Sequence, residues 1–183
     1  SFMLPRIFDG RFFEFFKERN QSTRVMVEFS QPNTHKDFHI GHARNVCLGD
    51  VICHLFNYNG YKVVPVNYIG DEGTHVAKCL WQVAAYLKDS PEHHNEKRTA
   101  DWYGQRYVEA TNKLSDASPE DRDAYQKEIA SILSMLEAKK GDHYQSWLTS
   151  RSDCLRDFDK IYDWLDVNFD HVFYESELTD SAQ

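Results

Sequence analysis

No window of this sequence approaches the roughly eighteen consecutive apolar residues that a membrane-spanning helix requires. Its opening, SFMLPRIFDG, also lacks the basic-then-apolar layout of a secretory signal. Both absences point to a soluble, unexported, cytoplasmic protein. The four cysteines, Cys47, Cys53, Cys79 and Cys154, include no Cys-x-x-Cys pair. That removes the spacing of a zinc knuckle or a redox dithiol and leaves reduced, mostly packed thiols as the expectation. Internal repeats and low-complexity tracts are missing too. Positive charge is scarce: 21 Lys and Arg face 29 Asp and Glu, for a net charge of -8. Residues 1–44 carry a net +2, so the remainder carries -10. A chain so acidic repels a phosphate backbone unless its cations gather on one face, so binding of nucleic acid by these residues alone is expected to be weak or absent.

What is present suffices for one core with an elaboration, since 41% of the 183 residues are hydrophobic. RVMVEF, Arg24 to Phe29, is a short β-branched run stopped by Ser-Gln-Pro-Asn and reads as a buried strand. Leu48, Val51, Ile52, Leu55 and Phe56 then form one apolar helical stripe, closed by Asn59-Gly60. YKVVPVNYIG, Tyr61 to Gly70, reads as a second strand, although Pro65 is awkward inside a ladder because it cannot donate. Val76, Leu80, Val83, Ala84 and Leu87 make a second helical stripe. Strand, helix, strand, helix predicts an α/β fold with a parallel sheet and right-handed crossovers.

From about Asp89 the texture becomes charge-dense with aromatic anchors, punctuated at Ser90-Pro91 and Ser118-Pro119. Three helices are expected, on Tyr103, Tyr107, Ala110 and Leu114, on Tyr125, Ile129, Ile132, Leu133 and Leu136, and on Leu148, Leu155, Phe158, Tyr162 and Leu165. Ser118 suits an N-cap and Pro119 the first helical position. The expected organisation is residues 1–88 as an α/β core, 89–168 as a helical insertion, and 169–183 as a return toward the core through HVFYESE.

The chemistry concentrates in SQPNTHKDFHIGHARN, Ser30 to Asn45. This loop follows the first strand and runs into the first helix, the crevice where an open α/β sheet binds its ligand. Free backbone N–H groups and the positive end of a helix dipole suit a phosphate there. Gly41 lets a flat base or a phosphate approach the backbone. His39 and His42 are three apart, a spacing that lets two imidazoles donate to one phosphoryl group where charge builds up. Lys36 adds a mobile cation. Rival readings are a zinc stripe of His35, His39 and His42, which Pro32, Asn33 and Gly41 oppose by interrupting a helix, histidines serving as loop caps, and a Lys36 that is merely solvated.

His39-Ile40-Gly41-His42 in this setting resembles the signature of class I aminoacyl-tRNA synthetases. VEFSQPNTHKDFHIGHARN followed by VNYIGDEGTHVA resembles the arginyl-tRNA synthetase catalytic domain, with its Ser-x-Pro-Asn-x-x-Lys-x-x-His-x-Gly-His pattern and a later Asn-x-x-Gly-Asp-x-Gly. The resemblance extends to the helical insertion and the LDVNFDHVFYES ending. It implies a partial Rossmann-like catalytic core that uses ATP and Mg2+ to activate arginine and charge tRNA. By position, His39, Gly41 and His42 would bind ATP, and Lys36 would assist at the phosphates. Ser30, Asn33 and Asn67 would line the aminoacyl pocket, with Asn67 at the α-amino group, while Asp71 and Gly73 would form a structural turn. Glu72 departs from the aromatic residue often found at its position, and the acidic group expected to hold the guanidinium is not identifiable. On this resemblance the chain is expected to be a fragment of a longer synthetase, inactive by itself. The alternatives are a cysteinyl-tRNA synthetase, which would need a cysteine ahead of the histidines where none precedes Cys47, another His-x-Gly-His nucleotidyltransferase, or a non-catalytic module derived from a synthetase.

Overall fold

The computed structural model describes residues 3–11, 14, 17, 20–89 and 91–181; Ser90, half of the expected Ser90-Pro91 boundary, lies outside the described residues. In chain order the elements are helix α1 (Met3–Phe8), strand β1 (Arg24–Glu28), α2 (Ile40–Tyr58), β2 (Lys62–Ile69), α3 (Thr74–Asp89), a 3-10 turn (Pro91–Asn95), α4 (Ala100–Asp116), α5 (Pro119–Glu137), α6 (Gly141–Leu165), β3 (His171–Tyr174) and α7 (Glu175–Ser181). The sheet order is β1-β2-β3, and β1 pairs with β2 in parallel from Arg24↔Lys62 to Glu28↔Val66. The strand-helix-strand-helix reading and the α/β class therefore hold, and HVFY does return to the sheet. The chain divides into two compact units, one of residues 1–31, 40–68 and 167–173, the other of 32–39, 69–166 and 174–183.

In the first unit the expectation of a buried β1 fails. β1 is an edge strand whose residues alternate between exposed and half-buried, and Met26 keeps 65% of its surface exposed. The alternation means that one face of β1 is partly covered and the other is open, whereas a parallel strand is buried throughout only when both faces are covered. Pro65 is accommodated in the central strand because of where its missing donor falls. The Val66 carbonyl faces β1 and accepts from Phe29 N–H at 3.1 Å, so position 65 faces the other way. There the Pro65 carbonyl accepts from Asp170 N–H at 2.9 Å, just before β3 begins. Helix α2 ends as expected at Gly60, whose φ of 87° is the left-handed stop that glycine adopts without strain.

The apolar stripe of α2 forms but is not its packed face. Leu48, Val51, Ile52 and Leu55 are exposed, and the buried residues are Val46, Gly49 and Cys53. Gly49 is what lets the helix approach, since a Cβ there would overlap the Phe29 ring. Gly49→Ala is expected to destabilise the protein by about 1–3 kcal/mol through overpacking, despite alanine's higher helix propensity. Thermal denaturation checks this; an unchanged or raised Tm would refute the packing argument.

The second unit is built on helices. Its core joins Val76, Ala77, Leu80 and Trp81 of α3 to Ala110 of α4, Ile129, Ile132 and Leu136 of α5, and Trp147 of α6. The three expected helices are present, and Ser118 caps α5 by accepting from Asp121 N–H at 3.1 Å with Pro119 in the first turn. In helix α6 Phe158 and Tyr162 are buried as expected, but the buried face continues through Cys154, Ser150 and Trp147, while Leu148 is exposed. The apolar pattern misled because a serine occupies the core side, for a reason found in the loop opposite.

Candidate active site

The loop after β1 is held in a conformation its residues do not favour alone. Ser30, Gln31 and His35 have φ of 79°, 55° and 61°, each costing on the order of 1 kcal/mol for a non-glycine residue. In the first unit, Gln31 N–H donates to the Oδ1 of buried Asn67 at 3.1 Å, which secures the first bend. In the second, Asn33 forms an isolated parallel bridge with Gly70. Gly70 N–H donates to Pro32 O at 3.1 Å, and Thr34 N–H donates to Gly70 O at 2.9 Å. A Cβ at Gly70 would strike Asn33 Oδ1, so glycine is required for that approach.

The expected site residues are distributed as follows. Ser30 and Asn67 are buried, and Asn33 and Lys36 are half-buried. His39 is exposed immediately ahead of α2, while Gly41 and His42 are half-buried in its first turn. The helix thus begins at the His-Ile-Gly-His segment, as the phosphate argument needs.

His35 does not belong with His39 and His42. Its ring is wholly buried, edge-on to Tyr103 at 5.5 Å, and both ring nitrogens are engaged. Ser150 Oγ gives its own proton to Trp147 O at 3.1 Å, so it must accept from His35 Nε2–H, 2.7 Å away. His35 is then neutral with a bare Nδ1, which accepts from Thr34 Oγ1–H at 2.9 Å in preference to the 3.4 Å contact of that hydroxyl with Gly70 O. The His35 backbone N–H donates to Cys154 Sγ at 3.4 Å. A histidine with both nitrogens committed is no zinc ligand, and its role is to pin the loop to α6.

Burial, with the nearby His75 second, pushes His35 down to about 3 from 6.5. The folded chain therefore holds this ring neutral where the unfolded chain would protonate it. The resulting stability is complete above pH 6.5 and is lost as pH falls towards 3. His35→Gln, which keeps a donor for Ser150, is expected to remove about 2 kcal/mol of the stability difference between about pH 7.5 and pH 5. Urea denaturation at both pH values measures it, and an undiminished pH dependence would contradict the assignment.

The Gly-Asp-x-Gly turn is a second anchor. Asp71 is buried, and its carboxylate accepts from Ser176 N–H at 2.9 Å, Ser176 Oγ–H at 2.8 Å and Arg151 Nε–H at 2.5 Å. Its carbonyl accepts from the Trp147 indole N–H at 2.7 Å. This is the structural role expected of that turn. Burial first and Asp71 second raise the carboxyl pKa of both Glu72 and Glu175.

Residues 12–182 match the family described as tRNA synthetases class I (R), catalytic domain. The chain belongs to this family. An arginine–tRNA ligase of Bdellovibrio bacteriovorus is 40% identical over 178 residues, which cover 96% of this chain and 30% of that protein. One of Treponema pallidum is 32% identical over 162 residues, covering 86% of this chain and 26% of that protein. The chain thus spans less than a third of the length of these relatives. Among solved structures, the Thermus thermophilus arginyl-tRNA synthetase superposes with a TM-score of 0.63 at 25% identity, covering 91% of this chain and 27% of that one. A Plasmodium falciparum arginyl-tRNA synthetase shares the fold with a TM-score of 0.60 at 24% identity, covering 87% and 25%.

Within this synthetase family domain, sequence reasoning missed the supports rather than the motifs. Ser150, Trp147, Arg151 and Ser176 lie 76 to 115 residues from the loop and turn they hold. The one local trace of them is Ser150 and Cys154, two small polar residues four apart on the buried line of α6.

Proposed function

We propose that this chain supplies the nucleotide-binding part of an enzyme that activates arginine with ATP as arginyl-adenylate and transfers it to tRNA. The observation that carries this reading is the linked pair of motifs, SQPNTHKDFHIGHARN entering α2 and NYIGDEG leaving β2, in a chain matched to the family across residues 12–182. In this reading residues 1–88 supply the first half of the core, 89–168 the insertion and 169–183 the return to it.

Ser30, Asn33 and Asn67 shape the aminoacyl pocket, with buried Asn67 also fixing the Gln31 bend. Gly41 admits the adenine. The arginine carboxylate attacks the α-phosphorus in line; a bond from carboxylate oxygen to phosphorus forms as the bond to the β-phosphate oxygen breaks, and pyrophosphate leaves with that electron pair. His39 and His42 donate hydrogen bonds to the α-phosphate oxygens as charge grows on them, and Lys36 assists. The terminal adenosine 2′-hydroxyl of tRNA then attacks the acyl carbon and AMP departs. Positioning and electrostatics suffice, with no covalent enzyme intermediate.

Among the described residues no three His, Cys, Asp or Glu side chains gather into a metal-ligating group. Mg2+ favours phosphate oxygens and water over an all-protein cage, so it would come with the nucleotide and neutralise its charge. Among the described residues no helix is long and apolar enough to cross a membrane, and we assign the enzyme to the cytoplasm. The test is amino-acid-dependent ATP–pyrophosphate exchange by the full-length protein with tRNA present, comparing arginine, cysteine and lysine. Exchange with arginine alone is expected; exchange with cysteine, or with none of the three, would overturn the reading.

A further inference from the structure

Three groups that no motif singles out lie beside Lys36. Lys36 Nζ sits 5.1 Å from the centroid of the Tyr107 ring, and Lys78 Nζ, from the second turn of α3, sits 5.3 Å from the same centroid. His75, one turn before Lys78, feels both ammonium groups; burial first and Lys36 next push its imidazole down to about 4, with Lys78 acting in the same direction. Its Nε2 is buried with no hydrogen-bond partner among the described residues. Tyr107, on α4, is half-buried.

Lys127 and Lys160 each meet an aspartate at 2.6 Å, whereas among the described residues neither Lys36 nor Lys78 forms an ion pair with a carboxylate. Two like charges on one ring repel each other, and a cation–π contact offsets that only in part. What such a pair lacks is an anion carrying charge on several oxygens. An ordinary surface lysine would be expected to swing towards solvent or towards one of the 29 acidic residues.

We propose that Lys78, together with Lys36 and beside His75, forms a binding site for an oligophosphate, and that in the proposed reaction it holds the β- and γ-phosphates of ATP and the pyrophosphate they become. This rests on the arginine-activating reading for its substrate but not for its chemistry. Lys78 and Lys36 meet the leaving group as point charges, while the His-Ile-Gly-His segment serves the α-phosphate. The unpartnered His75 Nε2 borders the same charge. Because pyrophosphate carries more charge per phosphorus than the chain it leaves, the site gains most as the bond to the α-phosphate breaks.

The test uses the full-length protein with Lys78→Met and Lys78→Arg. In arginine-dependent exchange, Lys78→Met is expected to raise KM for ATP and for pyrophosphate about tenfold, the effect of one charge-assisted contact. KM for arginine and inhibition by AMP should stay unchanged, and Lys78→Arg should recover most of the loss. Inorganic tripolyphosphate should raise the Tm of wild type but not of Lys78→Met, a readout that needs no amino-acid chemistry and so survives failure of the arginine assignment. Unchanged KM for ATP and pyrophosphate with equal protection by tripolyphosphate would overturn the proposal. So would AMP inhibition weakening in step with ATP, which would mean general damage to the fold, or a rise confined to KM for tRNA, which would assign Lys78 to a nucleic-acid phosphate.

Discussion

His42→Ala in the full-length protein is expected to lower arginine-dependent ATP–pyrophosphate exchange by about two to three orders of magnitude, the usual loss when one preorganised donor to a developing anion is removed. The residue occupies the first turn of α2, where the positive end of the helix dipole favours negative charge. Its imidazole would therefore act with the helix rather than alone. Because the interaction is assigned to the transition state, the fall should lie in kcat and in kcat/KM alike, with KM for arginine little changed. His42 is half-buried and is not one of the buried residues of α2, so Tm should fall far less than activity. A His42→Ala enzyme retaining more than about a third of wild-type exchange would remove the histidine from the chemistry. Exchange and Tm falling together would instead make it structural.

The largest expected loss of stability comes from Asp71→Ala, about 3–5 kcal/mol. Asp71 has no exposed surface, and the substitution strips three donors of their acceptor at once: Ser176 N–H, Ser176 Oγ–H and Arg151 Nε–H. Arg151 is the costly one. Its side chain is 20% exposed and lies over Tyr174 at 4.2 Å, so the guanidinium would lose its buried counter-charge, leaving among the described residues only Glu177 at 3.7 Å, which is largely in solvent. Asp71→Asn should cost less, since its shape and one acceptor persist. Denaturant midpoints for wild type, Asp71→Ala, Asp71→Asn and Asp71→Ala with Arg151→Met test this. The double variant should recover part of the loss, because removing both partners leaves no stranded charge. A single-variant cost below about 1 kcal/mol would show that solvent reaches the pair.

The sequence's failures are instructive in the same terms. Apolar periodicity named the helices correctly but misjudged the packed side of α2 and missed part of the buried line of α6, where Phe158 and Tyr162 are buried as expected. In α2 the buried line runs through Gly49, a residue hydrophobicity does not count, because contact with Phe29 depends on the absence of a side chain. In α6 it runs through Ser150, whose hydroxyl belongs inside only because His35 is there to bond it. His35 itself stood beside His39 and His42 in the sequence and invited a shared role, yet its left-handed backbone and two hydrogen bonds commit it to the fold. Lys78 carried no signal beyond being one lysine among several until α3 and α4 brought it onto the ring shared with Lys36.

By itself the sequence determined the order of strands and helices, the stop at Gly60 and the start at Ser118. These follow from local rules: side-chain periodicity, capping, and the backbone freedom of glycine within a few residues. The tertiary structure alone decided which faces are buried, which histidine is structural, and where the supports of the loop lie. Those outcomes depend on pairs such as His35 with Ser150 and Asp71 with Ser176, which are 115 and 105 residues apart. A buried polar group is stable only where its partner happens to stand, and no local pattern in the chain encodes that meeting.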